Sequence, residues 1–290
     1  MFVALNTNNE RVCIENADKR CEYFCPVCNE KLSIKAANSL AVRSHFAHKR
    51  GTECLDDWKH DMSEWHYSWQ CRFPEEYREV VVEKDGKRHR ADISINGWII
   101  EFQHSPISGE EIRERNTFYT NCGYKVVWVF DANNKVKNSF DNEETIDPAK
   151  LQLGERLEWK RARAEFKDQT CENVLYFIQY NTNISVTPPQ STDIMLVLTK
   201  LQPKEVEYLP TIFPVNNELR YYYLLPESFV RSFLPKKDND EVKSAFDIIN
   251  TALDNIEKIQ IYKQIYENQI IHSPRVQYFI PKQSRKKVRL

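Results

Sequence analysis

Residues 88–103, Arg88-His89-Arg90-Ala91-Asp92-Ile93-Ser94-Ile95-Asn96-Gly97-Trp98-Ile99-Ile100-Glu101-Phe102-Gln103, decide how the chain is read. Asn-Gly is the pair that tolerates positive φ at both central positions of a two-residue hairpin turn. Such a turn at Asn96-Gly97 pairs Ile95 with Trp98, Ile93 with Ile100, Asp92 with Glu101 and Arg90 with Gln103. Side chains alternate between faces along a strand. One face therefore carries Ala91, Ile93, Ile95, Trp98, Ile100 and Phe102; the other carries Arg90, Asp92, Ser94, Ile99, Glu101 and Gln103. Directly opposed carboxylates destabilise a sheet unless they share a proton or bind a cation. Mg²⁺ (or Mn²⁺) takes one or two carboxylates and keeps waters elsewhere, and it can activate water against a phosphodiester. The competing account is a solvent-facing polar side of an amphipathic hairpin, with Arg90 screening the acids.

The flanking segments favour the buried alternative. Upstream, Val80–Glu83 runs through Asp85-Gly86 into Arg88–Ile95 as a further hairpin, and Met62, Trp65, Trp69 and Phe73 recur at helical spacing over 61–73. Downstream, Ser108-Gly109-Glu110-Glu111 is a capping box opening a helix that Gly123 ends. Lys125–Phe130 is β-branched and aromatic without alternation, a strand buried on both faces, so strand, helix and strand form a parallel crossover. A short hairpin is expected over 2–24, a helix within 148–168, strands over 174–180 and 194–199, and a long helix over 241–269.

Other side chains join the candidate site less directly. Glu64 is an extra acid near the metal or a capping partner for Asp61. His66 and Gln70 share a helix face; Glu79 and Glu83 share the Asp92 face only if the Asp85-Gly86 turn has two residues. Ser105 returns to the Glu101 face at the strand end, where phosphate contact is one reading. Arg115 and Tyr119, four apart on the second helix, suit a nucleic-acid backbone or an ordinary amphipathic surface. His104 points away from Glu101 and reads as structural.

Cys25-x2-Cys28, sixteen residues, then His45-x2-His48 is a set of soft and imidazole ligands suited to a structural Zn²⁺, with Cys21 and Cys54 as nearby substitutes. Cys13, Cys71, Cys122 and Cys171 sit in apolar contexts and read as buried. Lys31, Lys35, Arg43, Lys49 and Arg50 around the module make it a candidate DNA-contacting arm.

Together these elements resemble the restriction-endonuclease-like core written PD-(D/E)xK. Cys25-Pro26-Val27-Cys28, Ser44-His45-Phe46-Ala47-His48, Arg90-Ala91-Asp92-Ile93, Ile100-Glu101-Phe102-Gln103-His104-Ser105, and the later Arg115 and Tyr119 resemble the competence protein CoiA-like family over about residues 1–131. The resemblance implies an α/β fold with a mixed central sheet flanked by helices, Asp92 and Glu101 as Mg²⁺ ligands, and Gln103 where many relatives carry a catalytic lysine. It implies a DNA nuclease of competence and recombination, with DNA and recombination proteins as partners. A non-catalytic DNA-binding accessory protein and a defence nuclease are the alternatives.

Bulk properties set the limits. With 290 residues, 41% apolar and 29% charged, the chain has the composition of a globular protein divided as 1–56 (zinc-binding module), 57–170 (nuclease-like domain) and 171–290 (an α+β region). A net charge of −1 gives no global pull on nucleic acid. No run of about 18 apolar residues and no basic-then-apolar leader occurs, so a cytoplasmic location without a membrane span is expected. Cysteines in that reducing setting are metal ligands or core residues rather than disulfides.

Overall fold

A computed structural model describes residues 1–235 except 37–42, 57, 59–62, 134, 139–156, 162–172, 185–189, 202–204, 210, 216–217 and 223–224. The long helix expected over 241–269, the basic tail and Cys171 lie outside these residues. The architecture is mixed α/β with two principal sheets and few helices.

The first sheet is built from β1 (Val3–Leu5), β2 (Arg11–Cys13), β3 (Tyr23–Phe24), β4 (Lys31–Lys35) and β5 (His45–His48), in the order β2-β1-β3-β4-β5. The hairpin read from 2–24 is its β1–β2 pair. Phe2, Tyr23, Val27, Leu32 and Phe46 pack beneath it, too few to form a large core alone, and Tyr67 of the following helix completes the cluster.

That helix, α1 (Glu64–Gln70), is shorter than its apolar periodicity predicts. Ser63 is the N-cap, its hydroxyl accepting from the His66 N–H at 3.2 Å. Asp61, the expected cap, is outside the described residues, and Glu64 falls in the first turn rather than at the capping-box position. His66, Tyr67, Trp69 and Gln70 are all buried, so α1 is enclosed on more than one side.

The second sheet runs β10-β11-β14-β13-β12-β9-β8-β7-β6, with β6 (Arg78–Lys84), β7 (Lys87–Ile95), β8 (Trp98–Gln103), β9 (Lys125–Asp131), β10 (Val136–Asn138), β11 (Leu157–Trp159), β12 (Val174–Ile184), β13 (Gln190–Leu201) and β14 (Glu205–Leu209). Both hairpin turns have two residues: Lys84 pairs with Lys87 and Ile95 with Trp98, and Asp85, Gly86, Asn96 and Gly97 all have positive φ. Between β8 and β9 lies α2 (Gly109–Asn121), capped by Ser108, and the crossover makes β8 and β9 parallel. Gly123 (φ +88°) ends α2: its N–H reaches the Thr120 carbonyl while the Tyr124 N–H reaches that of Tyr119, a Schellman arrangement.

β12 joins β9 in parallel, from Val174↔Val126 to Gln179↔Asp131. Strands from before and after the domain boundary expected at 170 therefore share one sheet. Of the helix expected within 148–168, only residues 157–161 are described, and they hold β11, which pairs with β10 and β14. β15 (Thr211–Val215) and β16 (Glu218–Tyr222) form a separate hairpin, and α3 (Pro226–Arg231) follows.

Helices cover both faces. Ile112 and Tyr119 of α2 pack on Ile99, Val126 and Trp128. On the other face Trp69 of α1 stacks on Phe102 at 5.2 Å, and Phe229 of α3 meets Trp69 at 5.8 Å and Phe177 at 5.2 Å. β9 is buried on both sides, as its unbroken apolar run predicts.

Candidate metal sites

The candidate site forms where β7 parts from β8. Their ladder holds at Ile95↔Trp98, Ser94↔Ile99 and Ile93↔Ile100 and then stops, so the expected backbone pairing of Asp92 with Glu101 is not made. The β6–β7 ladder skips the same level, between Arg78↔Ile93 and Val80↔Ala91, and Glu79 there has φ +46°. The face pattern changes across the irregularity. Ala91 belongs to the α2-side cluster with Ile99 and Trp128, whereas Phe102, expected on the same face as Ala91, lies against α1. Asp92 stands at this crossover.

Its carboxylate uses the freed backbone. Oδ2 accepts the Phe102 N–H at 2.8 Å, and Oδ1 lies 3.0 Å from His66 Nε2 and accepts from Gln70 Nε2 at 3.4 Å. Glu101 points toward α2, where Tyr119 Oη donates to Oε1 at 2.9 Å and Arg115 Nη1 to Oε2 at 2.8 Å. Asp92 is 2% and Glu101 1% exposed, which excludes the solvent-facing polar hairpin. Burial, and next the charge on Asp92, push Glu101 up to about 8 despite Arg115, Tyr119 and His66. The two carboxyls thus sense each other in a site that would gain from a cation.

Arg115 and Tyr119 are corrected from surface contacts to internal ones. They are 2% and 0% exposed, because the face of α2 that carries them is the one packed on the sheet. Arg115 also pairs with Glu111. Glu64 is at the surface: its side chain is 69% exposed and lies 3.9 Å from Arg43, while His66 and Gln70 are the α1 residues turned toward Asp92. Glu79 is buried but serves the fold. Burial raises its pKa, but Arg90, the Met1 ammonium and the N–H groups of Phe2 and Val3 outweigh this and hold it below its ordinary value. Gln103, 9% exposed, donates from Nε2 to the Ser105 carbonyl at 2.6 Å, and Ser105 itself is exposed.

Asp92 and Glu101 are the carboxylates this site has to offer a hard divalent cation. Two carboxylates offer about four lone-pair sites each. Two is also the carboxylate number that Mg²⁺ ordinarily accepts.

The second cluster gathers Cys25, Cys28, His48 and Cys54, whose ligand atoms all lie within 4.8 Å of one another. Cys25 Sγ is 4.0 Å from Cys54 Sγ, and Cys28 Sγ is 3.3 Å from His48 Nε2. Tetrahedral zinc with bonds of about 2.3 Å to sulfur places ligand atoms roughly 3.8 Å apart, so the set needs little adjustment. The Val27 N–H points at Cys25 Sγ (3.4 Å), and Arg88 of β7 holds the Pro26 and Val27 carbonyls, fixing the knuckle to the larger sheet. Burial pushes the Cys54 thiol up to about 12 and also raises that of Cys25. Burial, then Arg90, lowers His48, which suits a neutral imidazole ligand. The cluster could hold a zinc ion.

His45 is outside it. An odd spacing along β5 puts His45 and His48 on opposite faces, and His45 Nδ1 lies 2.9 Å from the Arg43 carbonyl. Cys54 takes its place. The basic residues around the module are partly committed: Lys31 pairs with Glu22, and the Arg43 guanidinium lies 3.8 Å over the Tyr67 ring. Lys35, Lys49 and Arg50 are exposed.

Sequence reasoning ranked His66 and Gln70 too low, although their i, i+4 spacing was the available signal. It also missed Asp131, an acid closing an otherwise apolar strand. Among the described residues no helix is long and apolar enough to cross a membrane.

Known proteins were compared with this geometry in view. No curated protein and no solved structure matches the chain. Two family profiles do: Competence protein CoiA, N-terminal domain, over residues 6–56, and Competence protein CoiA, nuclease-like domain, over residues 58–202. The first match ends just past Cys54 and contains the whole Cys/His cluster; the second contains Asp92, Glu101 and the strands through β13. With the nuclease-like profile alone spanning half the chain, the protein belongs to the competence protein CoiA family.

Proposed function

We propose that the protein is a divalent-metal-dependent DNA nuclease that hydrolyses phosphodiester bonds, with Asp92 and Glu101 as the Mg²⁺ (or Mn²⁺) ligands on a restriction-endonuclease-like core. The observation that carries this reading is the buried pair itself: Glu101 is pushed up to about 8 by burial and Asp92, a strain that a bound cation relieves. When bound, such a cation polarises the phosphate and lowers the pKa of an attached water. The chain's own residues do the positioning. His66, Gln70 and the Phe102 N–H hold Asp92, while Arg115 and Tyr119 hold Glu101. Gln103 is neutral and adds no positive charge toward the phosphate. Cys25, Cys28, His48 and Cys54 hold a structural Zn²⁺ that orders the N-terminal module, and Lys49 and Arg50 give that module exposed charge for DNA.

Purified protein incubated with single- and double-stranded DNA and Mg²⁺ or Mn²⁺ tests the reading. Cleavage is expected, falling at least about a hundredfold in Asp92→Ala and in Glu101→Ala, the scale of losing one electrostatic element of a hydrolytic site. Cleavage that survives both changes sinks it. The neutral Gln103, tied to the Ser105 carbonyl, favours a second reading: a DNA-binding accessory protein of a recombination or uptake machinery. Salt-sensitive DNA binding without cleavage is its signature.

A further inference from the structure

The carboxyl ends of the parallel strands β8, β9 and β12 meet at one edge of the large sheet, the place where open α/β sheets bind ligands. His104 lies there, next in sequence to Gln103. Its Nδ1 is 2.7 Å from Asp131 Oδ2, so the carboxylate directs the N–H of that nitrogen inward and turns Nε2 outward. Lys135 ties both residues together, donating to the His104 carbonyl at 2.8 Å and to Asp131 Oδ2 at 3.3 Å. Trp65 of α1 flanks the imidazole, with ring centroids 5.8 Å apart, and its own indole N–H is fixed by Gln179 Oε1 at 2.7 Å.

The exposures make this more than a core histidine. Asp131 is 6% exposed at its side chain, whereas the His104 side chain is 40% exposed. A buried carboxylate, a lysine and a tryptophan thus orient one ring whose far nitrogen faces solvent. The ring stands beside Trp65 of α1, the helix whose His66 and Gln70 hold Asp92. Asp92 is bonded to the Phe102 N–H, and His104 is two residues further on, about 6.6 Å of strand.

We propose that His104, oriented by Asp131 and flanked by Lys135, contacts the phosphate of the nucleic-acid substrate through its outward Nε2, a contact that Gln103, tied to the Ser105 carbonyl, does not make. The inference rests on the nuclease reading for the identity of the substrate. Its chemical demand is narrower: an anionic phosphodiester oxygen at the outward edge of β8 and β9. Phosphate contact was the reading given to Ser105 from its position; the oriented ring beside it is the stronger candidate.

The test is fluorescence anisotropy of the full-length protein with a short fluorescein-labelled DNA, with Ca²⁺ replacing Mg²⁺ so that binding is read apart from cleavage. His104→Gln is expected to bind about tenfold more weakly, the effect of one charge-assisted hydrogen bond, and to show a shallower salt dependence. His104→Arg keeps a nitrogen donor at this position and is expected to recover most of the affinity, which a purely structural histidine would not do. Asp131→Asn weakens binding in the same direction. If His104→Gln binds and cleaves like the parent protein, the inference is overturned while the roles of Asp92 and Glu101 stand. If binding depends on His104 but the parent protein does not cleave DNA in Mg²⁺, the phosphate contact is supported and the nuclease reading fails.

Discussion

Glu101 shows how little of a site's chemistry is local. Its pKa is raised from the ordinary 4.5 to about 8, first by burial and then by Asp92. A carboxyl shifted upward contributes stability that is fully present below its unfolded value and is lost as pH rises through the folded one. The metal-free protein is therefore expected to lose thermal stability between pH 5 and pH 8 relative to Glu101→Gln, with the difference closing on addition of Mg²⁺; scanning calorimetry in both backgrounds reads this. Removing Arg115 acts on the same carboxyl. Arg115→Ala removes the cation that opposes this rise, so its cost in urea unfolding is expected to be small near pH 5, where Glu101 is protonated, and to reach about 3–5 kcal/mol only well above pH 8, where the carboxylate is left buried without its cation, whereas Tyr119→Phe removes one hydrogen bond and costs about 1–3 kcal/mol. The two-residue turn makes it legible in the sequence that Asp92 and Glu101 come within reach of each other's charge, although the backbone pair it implies is not made. What held them was not legible, because the inward face of α2 depends on which sheet it covers, and Arg115 looks like a surface residue until that sheet exists.

At the scale of elements, the hairpin turns and the ends of α2 read true, whereas the cap of α1 and the strand ends did not. Asn96-Gly97, Asp85-Gly86, Ser108 and Gly123 each encode their geometry within a few residues, so the turns and the α2 boundaries follow from sequence. The opening of the β7–β8 ladder at Asp92 has no such signature. It depends on Glu79 taking a left-handed backbone while its carboxylate is held by Phe2 and Val3, distant residues of another sheet. The Cys/His module divides the same way. The Cys25-x2-Cys28 knuckle is a local motif, whereas the choice between His45 and Cys54 is made by the pleat of β5 and the path of the chain after it. One zinc per chain is expected by elemental analysis, retained in His45→Ala and lost in Cys54→Ala. Zinc lost from His45→Ala and kept in Cys54→Ala would reverse the assignment.

At the scale of the molecule, the described residues all fall in one compact unit, Met1–Asp238, although the sequence divides them at 56 and 170. The first division marks a change from one sheet to another; the second cuts through a sheet, because β12 lies beside β9 despite the long stretch of chain between them. Sequence periodicity cannot see that pairing. Ending the chain at residue 170 strips β12 from β9 and bares a long apolar edge, so that fragment is expected to aggregate on size-exclusion chromatography while one ending after Asp238 stays monodisperse. The same parallel strands carry Glu101, His104, Asp131 and Gln179 to one edge, which is how a continuous sheet builds the candidate site. The most direct measurement is a crystal grown with Mn²⁺ and recorded at the manganese edge. The account predicts an anomalous peak in contact with carboxylate oxygens of both Asp92 and Glu101. A peak absent there, with Arg115 and Tyr119 still the partners of Glu101, would contradict it.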